Sequence, residues 1–408
     1  MRILLVNKFI FPKGGAETYT FDVGKMLEEH GHKVQYFGLE NEKNTVGNRI
    51  GSYVTNMDFS QGIKANLNAP FRIIYSREAR KKIRAVLDDF QPDVVHLNNI
   101  QYHLTPSIIL EINKWRKETK KECKIVYTTH DYQLVCPSHG MFDVNMKPCE
   151  LCLDGHYIHC FQTKCLKNSR AKSLLGTLDG YMWKYSKAYS YVDAYICCSF
   201  FLKSKLDTQK RFRDKTIGLH NFKKEMPHLD NIQKKGYVLE FGHLSRDKGT
   251  DTLLEVAKKM PNTEFVFIGY GPSVDKTKDI PNVKYLGFKT GEELYRIIAE
   301  AAISVCPSEW YENCPYSVME SVLLGTPVVG SKMGGIPELI EPGKTGELFE
   351  AGNVEDLMKA IKKVLQTQDI LERYTKNCSQ VKYETTESYY IKLMKIYRGE
   401  KNVEQISS

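Results

Sequence analysis

Two glutamates in the second half of the chain, Glu312 and Glu320, stand in a Glu-x7-Glu spacing around the run Asn313-Cys314-Pro315-Tyr316-Ser317-Val318-Met319. Pro315 suits the first position of a helix, where its missing N–H would have had no acceptor anyway. Asn313 or Cys314 is then the cap. The backbone N–H groups of Tyr316 and Ser317 point out of such a helix start without intrahelical acceptors, and together with the helix dipole they make a site for a diphosphate. Glu312 falls just outside the helix and Glu320 about two turns in, so the carboxylates can reach opposite ends of one extended ligand. An acidic surface loop followed by a solvated helix glutamate would contain the same residues, and this spacing alone does not separate the two readings.

The surrounding Gly-rich turns shift that balance. Phe241-Gly242-His243-Leu244-Ser245-Arg246-Asp247-Lys248-Gly249 follows an apolar run and precedes a helical pattern from Thr250. Its glycines permit close backbone approach to a ligand, while Arg246 and Lys248 can meet phosphate charge. Gly269-Tyr270-Gly271-Pro272 and Gly334-Gly335-Ile336-Pro337-Glu338 end two more apolar runs in the same way. A separate constellation lies in the first half: Cys149-x2-Cys152 and Cys160-x4-Cys165, with Cys136 before them and His139, His156 and His159 nearby. Two close-spaced thiol pairs can supply a structural zinc site, and four thiolates leave no open position for catalysis. Free or packed thiols and a disulfide are the other readings.

The elements that must position these residues alternate between apolar runs and amphipathic segments, the pattern of parallel sheets covered on both faces. Arg2 to Val6, Val34 to Gly38, Asp93 to Leu97, Ile125 to Thr129 and Ala194 to Cys198 read as strands, and a helix carrying Tyr19, Val23, Met26 and Leu27 on one face ends near Gly31. A polar, Lys-rich stretch from Lys203 to Lys235 interrupts the pattern. It restarts with strands at Tyr237 to Phe241, Glu264 to Ile268, Val283 to Leu286, Ile303 to Cys306 and Pro327 to Val329. The expected division is an N-terminal domain over 1–205, with a cysteine-rich insertion at about 136–165, a C-terminal domain over 206–382, and a closing helix within 383–408 that crosses back. Two such α/β units leave a crevice at the carboxyl ends of their strands, where ligands bind.

Bulk properties agree. A chain of 408 residues exceeds what one core usually supports. Lys and Arg outnumber Asp and Glu by 58 to 49, which suits anionic partners such as nucleotide diphosphates or an acidic membrane surface, and equally plain solubility charge. No basic tail or nucleic-acid motif is present, so nucleic acid is not an expected partner. The apolar opening Ile3-Leu4-Leu5-Val6 is followed by Lys8 and reads as a buried strand rather than a signal peptide, pointing to a cytoplasmic protein.

Taken together, the Glu-x7-Glu pair, the Gly-x-Leu-x3-Lys-Gly loop from Gly242 to Gly249 and the N-terminal pair Gly14-Gly15 resemble those of a family 4 glycosyltransferase of the GT-B fold, over nearly the whole chain. The resemblance implies two Rossmann-like domains facing each other across a cleft, with a UDP- or GDP-linked sugar donor against the second. By that resemblance Glu320 would bond the ribose hydroxyls, Glu312 would face the transferred sugar, and Asn313, Pro315, Tyr316 and Ser317 would line the phosphates and sugar. Lys248 would hold the diphosphate, the turn from Gly287 through Phe288 to Lys289 would approach the base, and His130 would contact the sugar from the first domain. The family usually has Arg where this chain has His243; Arg246 or a protonated His243 can supply the charge instead.

The implied reaction retains anomeric configuration and uses no metal or other cofactor at the diphosphate. No Asp-x-Asp pair, Gly-x4-Gly-Lys-Ser/Thr loop or nucleophile elbow occurs. Because His130 and Glu312 come from different halves, closure of the domains is expected to accompany binding. The acceptor implied is a glycan or a lipid-linked glycan in polysaccharide assembly. For a lipid carrier, the basic segment Arg72 to Arg84 offers a peripheral contact with anionic membrane, although its apolar positions Ala79, Ile83, Val86 and Leu87 also describe a helix packed on a sheet. Two rivals stand beside this reading: another GT-B enzyme, such as a nucleotide-sugar epimerase or a phosphorylase, and a non-catalytic partner subunit that keeps the fold and binds sugar or protein.

Overall fold

The computed structural model describes residues 1–56 and 69–400. Two six-stranded sheets form its two lobes. The first contains β1 (Arg2–Val6), β2 (Lys33–Phe37), β3 (Val94–Leu97), β4 (Lys124–Thr129), β5 (Ala194–Cys197) and β6 (Thr216–Gly218), in the order β2-β1-β3-β4-β5-β6. The second contains β7 (Val238–His243), β8 (Phe265–Tyr270), β9 (Val283–Tyr285), β10 (Ile303–Cys306), β11 (Val328–Ser331) and β12 (Gly346–Phe349), in the order β12-β11-β10-β7-β8-β9. Every pairing within both sheets is parallel.

Helices on both faces explain why the central strands read as unbroken apolar runs: Ile3 to Val6 have no exposed surface at all. The helix Gly15–Glu29 turns Tyr19, Val23, Met26 and Leu27 into the core, as its 3.6-residue period requires. Strand order reverses beside β1 in one sheet and beside β7 in the other, and the carboxyl ends at those switch points face each other across a cleft. The helix Thr386–Arg398 returns to the first lobe. There the Tyr389 hydroxyl meets that of Tyr19 at 2.7 Å, and the Tyr397 hydroxyl meets Nδ1 of His96 at 2.7 Å.

Two strands escaped the sequence reading, and both are short. β6 lies inside the Lys-rich stretch and pairs with β5, so the first sheet extends past residue 205, where the sequence placed its boundary. β12 is an edge strand on β11 and so needs less apolar sequence. The helix Arg77–Phe90, capped by Ser76, buries Ala79, Ile83, Val86 and Leu87, the packing alternative for that segment. Three of that segment's six basic residues are paired, Arg72 with Glu78, Arg80 with Glu111, and Arg84 with Asp88 and Glu118. Among the described residues, no helix is long and apolar enough to cross a membrane.

Candidate active site

A cavity of about 610 Å³ opens between the lobes and is lined from both. From the second lobe come the β7 turn, the loop after β10 and the helix Tyr316–Leu323. From the first come Gly15, Asn99 and His130.

The helix starts one residue later than the sequence reading had it. Pro315 is itself the cap, with an extended backbone (ψ 119°), rather than Asn313 or Cys314, and its carbonyl accepts from Val318 N–H. The helix opening still leaves the Tyr316 and Ser317 amides without intrahelical acceptors at the cavity wall. Gly334 and Gly335 press on the backbone just before it: a β-carbon at either would sit about 2 Å from the Glu312 or Asn313 carbonyl oxygen (2.0 and 1.8 Å), and Gly335 N–H donates to Glu312 O at 2.7 Å. The third Gly-rich turn therefore supports the Glu312 loop and does not line the cavity.

Lys248 and Glu312 form an ion pair at the cavity wall. Burial works against the Lys248 charge, but the Glu312 carboxylate prevails and holds the ammonium above its ordinary range. The Trp310 ring lies 4.7 Å from the same nitrogen, and Ser308 Oγ donates to Glu312 at 3.2 Å. A second pair, Lys223 with Glu320, follows the same pattern: burial opposes the charge, Glu320 sustains it, and Tyr316 presents its ring 5.3 Å from the ammonium. Lys223 sits in the polar stretch after β6 and had no spacing signal in the sequence.

His130 faces this group from the first lobe. Its Nε2 lies 2.9 Å from Asn98 Oδ1, and its carbonyl accepts from Asn313 Nδ2 of the other lobe at 2.9 Å. Burial lowers its pKa to about 4, only partly offset by Asp131, so the ring is neutral at pH 7. With Nε2–H donating to Asn98, Nδ1 is left as an acceptor suited to a hydroxyl. The lobes are tied elsewhere by Glu338, whose carboxylate accepts from Phe200 and Phe201 N–H at 2.8 and 2.6 Å and pairs with His220.

Of the other expected donor contacts, His243 and Phe288 line the cavity and are joined by Tyr270, with ring centroids 5.2 and 5.8 Å apart. Gly14, Gly287 and Arg246 do not line it. Arg246 is exposed, and its charge acts on Asp251. The tight turn from Ser245 to Gly249, closed by Lys248 N–H to Ser245 O and Gly249 N–H to Arg246 O, sends residue 248 inward and leaves residue 246 outside. Arg246 is thus not positioned to replace the guanidinium that His243 lacks. A further cavity residue outside the motifs is Glu240, on β7: it is buried, accepts from Thr250 Oγ1 at 2.7 Å, and has no hydrogen-bond partner for Oε2 among the described residues. Burial raises its pKa to about 8, making it a neutral acid able to donate.

The five cysteines of the insertion gather away from this cavity, whereas Cys198, Cys306 and Cys314 line it. Cys136, Cys149, Cys152, Cys160 and Cys165 line one small pocket with His159, and all are free thiols. Among the described residues, no group of three or more His, Cys, Asp or Glu is arranged to hold a metal ion. The Sγ atoms of Cys160 and Cys165 stand 2.9 Å apart, whereas two thiolates on tetrahedral zinc stand about 3.8 Å apart. The expected four-thiolate ligand set is not formed in this arrangement. The insertion does reach the Glu312 loop: Tyr311 donates to Glu150 at 3.1 Å, and Phe142 lies 6.3 Å from the Trp310 ring.

Known proteins share this architecture. Anabaena Alr3699/HepE, solved in complex with UDP and glucose, superposes with a TM-score of 0.67 over 98% of this chain and 99% of its own, at 16% identity. A sucrose-phosphate synthase from Thermosynechococcus elongatus gives 0.70 over 97% and 98%, also at 16% identity. At that identity the likeness is one of fold, and the fold is GT-B. In sequence, a 42.6 kDa protein of the cps region of Klebsiella pneumoniae is 25% identical over 83% of this chain and 87% of its own length. The amylovoran biosynthesis glycosyltransferase AmsK of Erwinia amylovora is 30% identical over 37% of this chain, which spans 41% of that relative. The sulfoquinovosyl transferase SQD2 of Arabidopsis thaliana is 33% identical over 34% of this chain and 28% of its own length. The sequence model described as Glycosyl transferases group 1 matches residues 221–381. That of Glycosyltransferase Family 4 matches residues 13–221, more than half of the chain, and the chain belongs to that family.

Proposed function

We propose that this glycosyltransferase takes a sugar from UDP or GDP and passes it, with retention and without a metal at the diphosphate, to a glycan or lipid-linked acceptor in polysaccharide assembly. The observation that carries the reading is the convergence on one cavity of Lys248, Glu312 and the Tyr316–Ser317 amides from one lobe with His130 from the other. The amylovoran and cps-region relatives support the polysaccharide setting, and the UDP complex of the Anabaena protein supports the donor class.

The diphosphate would settle on the two amides and compete with Glu312 for the Lys248 ammonium, freeing the carboxylate to face the sugar. The bond from the anomeric carbon to the β-phosphate oxygen breaks as the acceptor oxygen bonds to that carbon on the same face. The acceptor proton passes to the departing phosphate. Lys248 and the helix amides stabilise the charge that develops on the leaving group, while neutral His130 orients a sugar hydroxyl. Glu320 would take the ribose hydroxyls in exchange for part of its contact with Lys223.

A screen of nucleotide sugars that records released nucleoside diphosphate, run with chelator present, tests this reading. Acceptor-dependent release from a UDP- or GDP-sugar is the expected result. Tight donor binding without release would assign a non-catalytic subunit, and conversion of the donor sugar without release an epimerase. A structural zinc ion at the five-thiol pocket is a proposal of the same standing. It would require Cys160 and Cys165 to part by about 1 Å, and a folded, metal-free protein purified without chelator would reject it.

A further inference from the structure

Leu174, Leu178, Met182 and Tyr185, on the helix Arg170–Tyr185, are 44, 52, 37 and 72% exposed. Their spacing of four, four and three residues sets them in one stripe along the helix, opposite the buried Ser173, Gly176, Thr177 and Trp183. Among the described residues, packing within the molecule does not account for such an outward apolar face. Basic residues flank it: Lys167, Arg170, Lys172 and Lys187 are all exposed. The helix has one acidic residue, Asp179, which accepts from Trp183 Nε1 at 2.9 Å and whose pKa burial pushes up to about 7, so it sets little negative charge against an anionic partner. In the Arg72–Arg84 segment, by contrast, acidic neighbours already engage Arg72, Arg80 and Arg84, leaving Arg77 and Lys81 exposed, and its apolar positions are buried rather than outward.

We infer that the outer face of the helix Arg170–Tyr185 seats the enzyme on an anionic membrane surface, the apolar stripe entering the headgroup boundary and the flanking Lys and Arg meeting lipid phosphates. Peripheral attachment of this kind needs two signals, apolar area and basic charge, and both are present on this helix and its two flanks. Tyr185 ends the stripe with a ring stacked on Tyr181 at 6.2 Å, an amphipathic pair suited to the interface. The helix's inner face touches the cysteine insertion, with Gly176 against Pro137 and Cys160. The helix lies between β4 and β5, so a bilayer on its outer face would lie against the first lobe. The inference rests on the lipid-linked branch of the proposed acceptor and gives it a location.

Co-sedimentation of the full chain with vesicles of phosphatidylglycerol and phosphatidylcholine, against phosphatidylcholine alone, tests it. Partitioning to the anionic vesicles that weakens as salt rises is expected. A triple Leu174→Ser, Leu178→Ser, Met182→Ser variant should lose about tenfold in that partitioning. A variant with Lys167, Arg170, Lys172 and Lys187 changed to Gln should bind the two vesicle types alike. Both should keep wild-type thermal stability and nucleoside-diphosphate binding, readouts that follow the donor site and stand or fall separately. No binding to anionic vesicles at low salt, or unchanged binding by the triple variant, overturns the inference. So does a wild-type dimer in sedimentation velocity that the triple variant abolishes, since a second copy would then own the stripe.

Discussion

The cavity wall of the second lobe and the outer face of the first lobe are built on different principles. At the cavity, each charged side chain is held by a specific neighbour: Lys248 by Glu312, Lys223 by Glu320, and the Glu312 loop by Gly335. On the helix Arg170–Tyr185, the exposed residues present area and charge to solvent. A diphosphate is small and demands donors at fixed positions, whereas a bilayer responds to summed apolar area and summed charge. Single substitutions should therefore be severe in one region and graded in the other.

The largest effect should come from breaking the Lys248–Glu312 pair. Lys248→Ala or Glu312→Ala should lower kcat by at least about 10²–10³-fold with folding retained, the usual loss for one preorganised electrostatic contact. Near-normal turnover in either would erase the contrast. Glu320→Gln should act mainly on donor KM, raising it about tenfold to a hundredfold as a charge-assisted hydrogen bond is lost. Lys223→Met should move KM the same way, and the double variant should cost less than the two singles combined, because the residues act as a pair.

Smaller effects concern stability and pH. Glu240 is neutral in the folded chain up to about pH 8 but ionises near 4.5 when unfolded. Over that window the unfolded state binds fewer protons, so Glu240 lowers stability as pH rises, by up to about 1.4 kcal/mol per pH unit. Glu240→Gln should remove this slope in denaturant unfolding compared between pH 5 and 8. Half-buried His130 and buried His96, depressed to about 4 and about 3, have the opposite sign. Their contribution is complete above pH 6.5 and is lost as pH falls toward those values, and His130→Gln should flatten part of that acid limb. Smallest of all, Leu178→Ser alone should change vesicle binding by only about twofold to threefold.

The contrast also explains what could be read from the chain. Glu312, Glu320, Lys248 and the Tyr316 helix start were legible because each falls at short spacing within a strand–turn–helix unit, the glutamates around the turn after β10 and the lysine in the Gly-rich turn after β7, where exposed amides and glycines suit an anionic ligand. Lys223 and Glu240 were not. The first gains its role from a partner 97 positions away, and the second lies on a strand between the apolar Val238-Leu239 and Phe241. The placement of Arg246 outside the cavity depends on the turn closed at Gly249, which the spacing does not specify. β6 was hidden by its three-residue length amid lysines. The apolar residues Leu174, Leu178, Met182 and Tyr185 carry no motif, and only the fold shows that they point outward.

A crystal structure of the full chain with a bound nucleoside diphosphate would test the central claim most directly. It should place the β-phosphate on the Tyr316 and Ser317 amides within hydrogen-bond reach of Lys248 Nζ, with Glu312 released toward the cleft and the ribose at Glu320. A diphosphate bound elsewhere, with the Lys248–Glu312 pair intact and the helix start unvisited, would contradict the account.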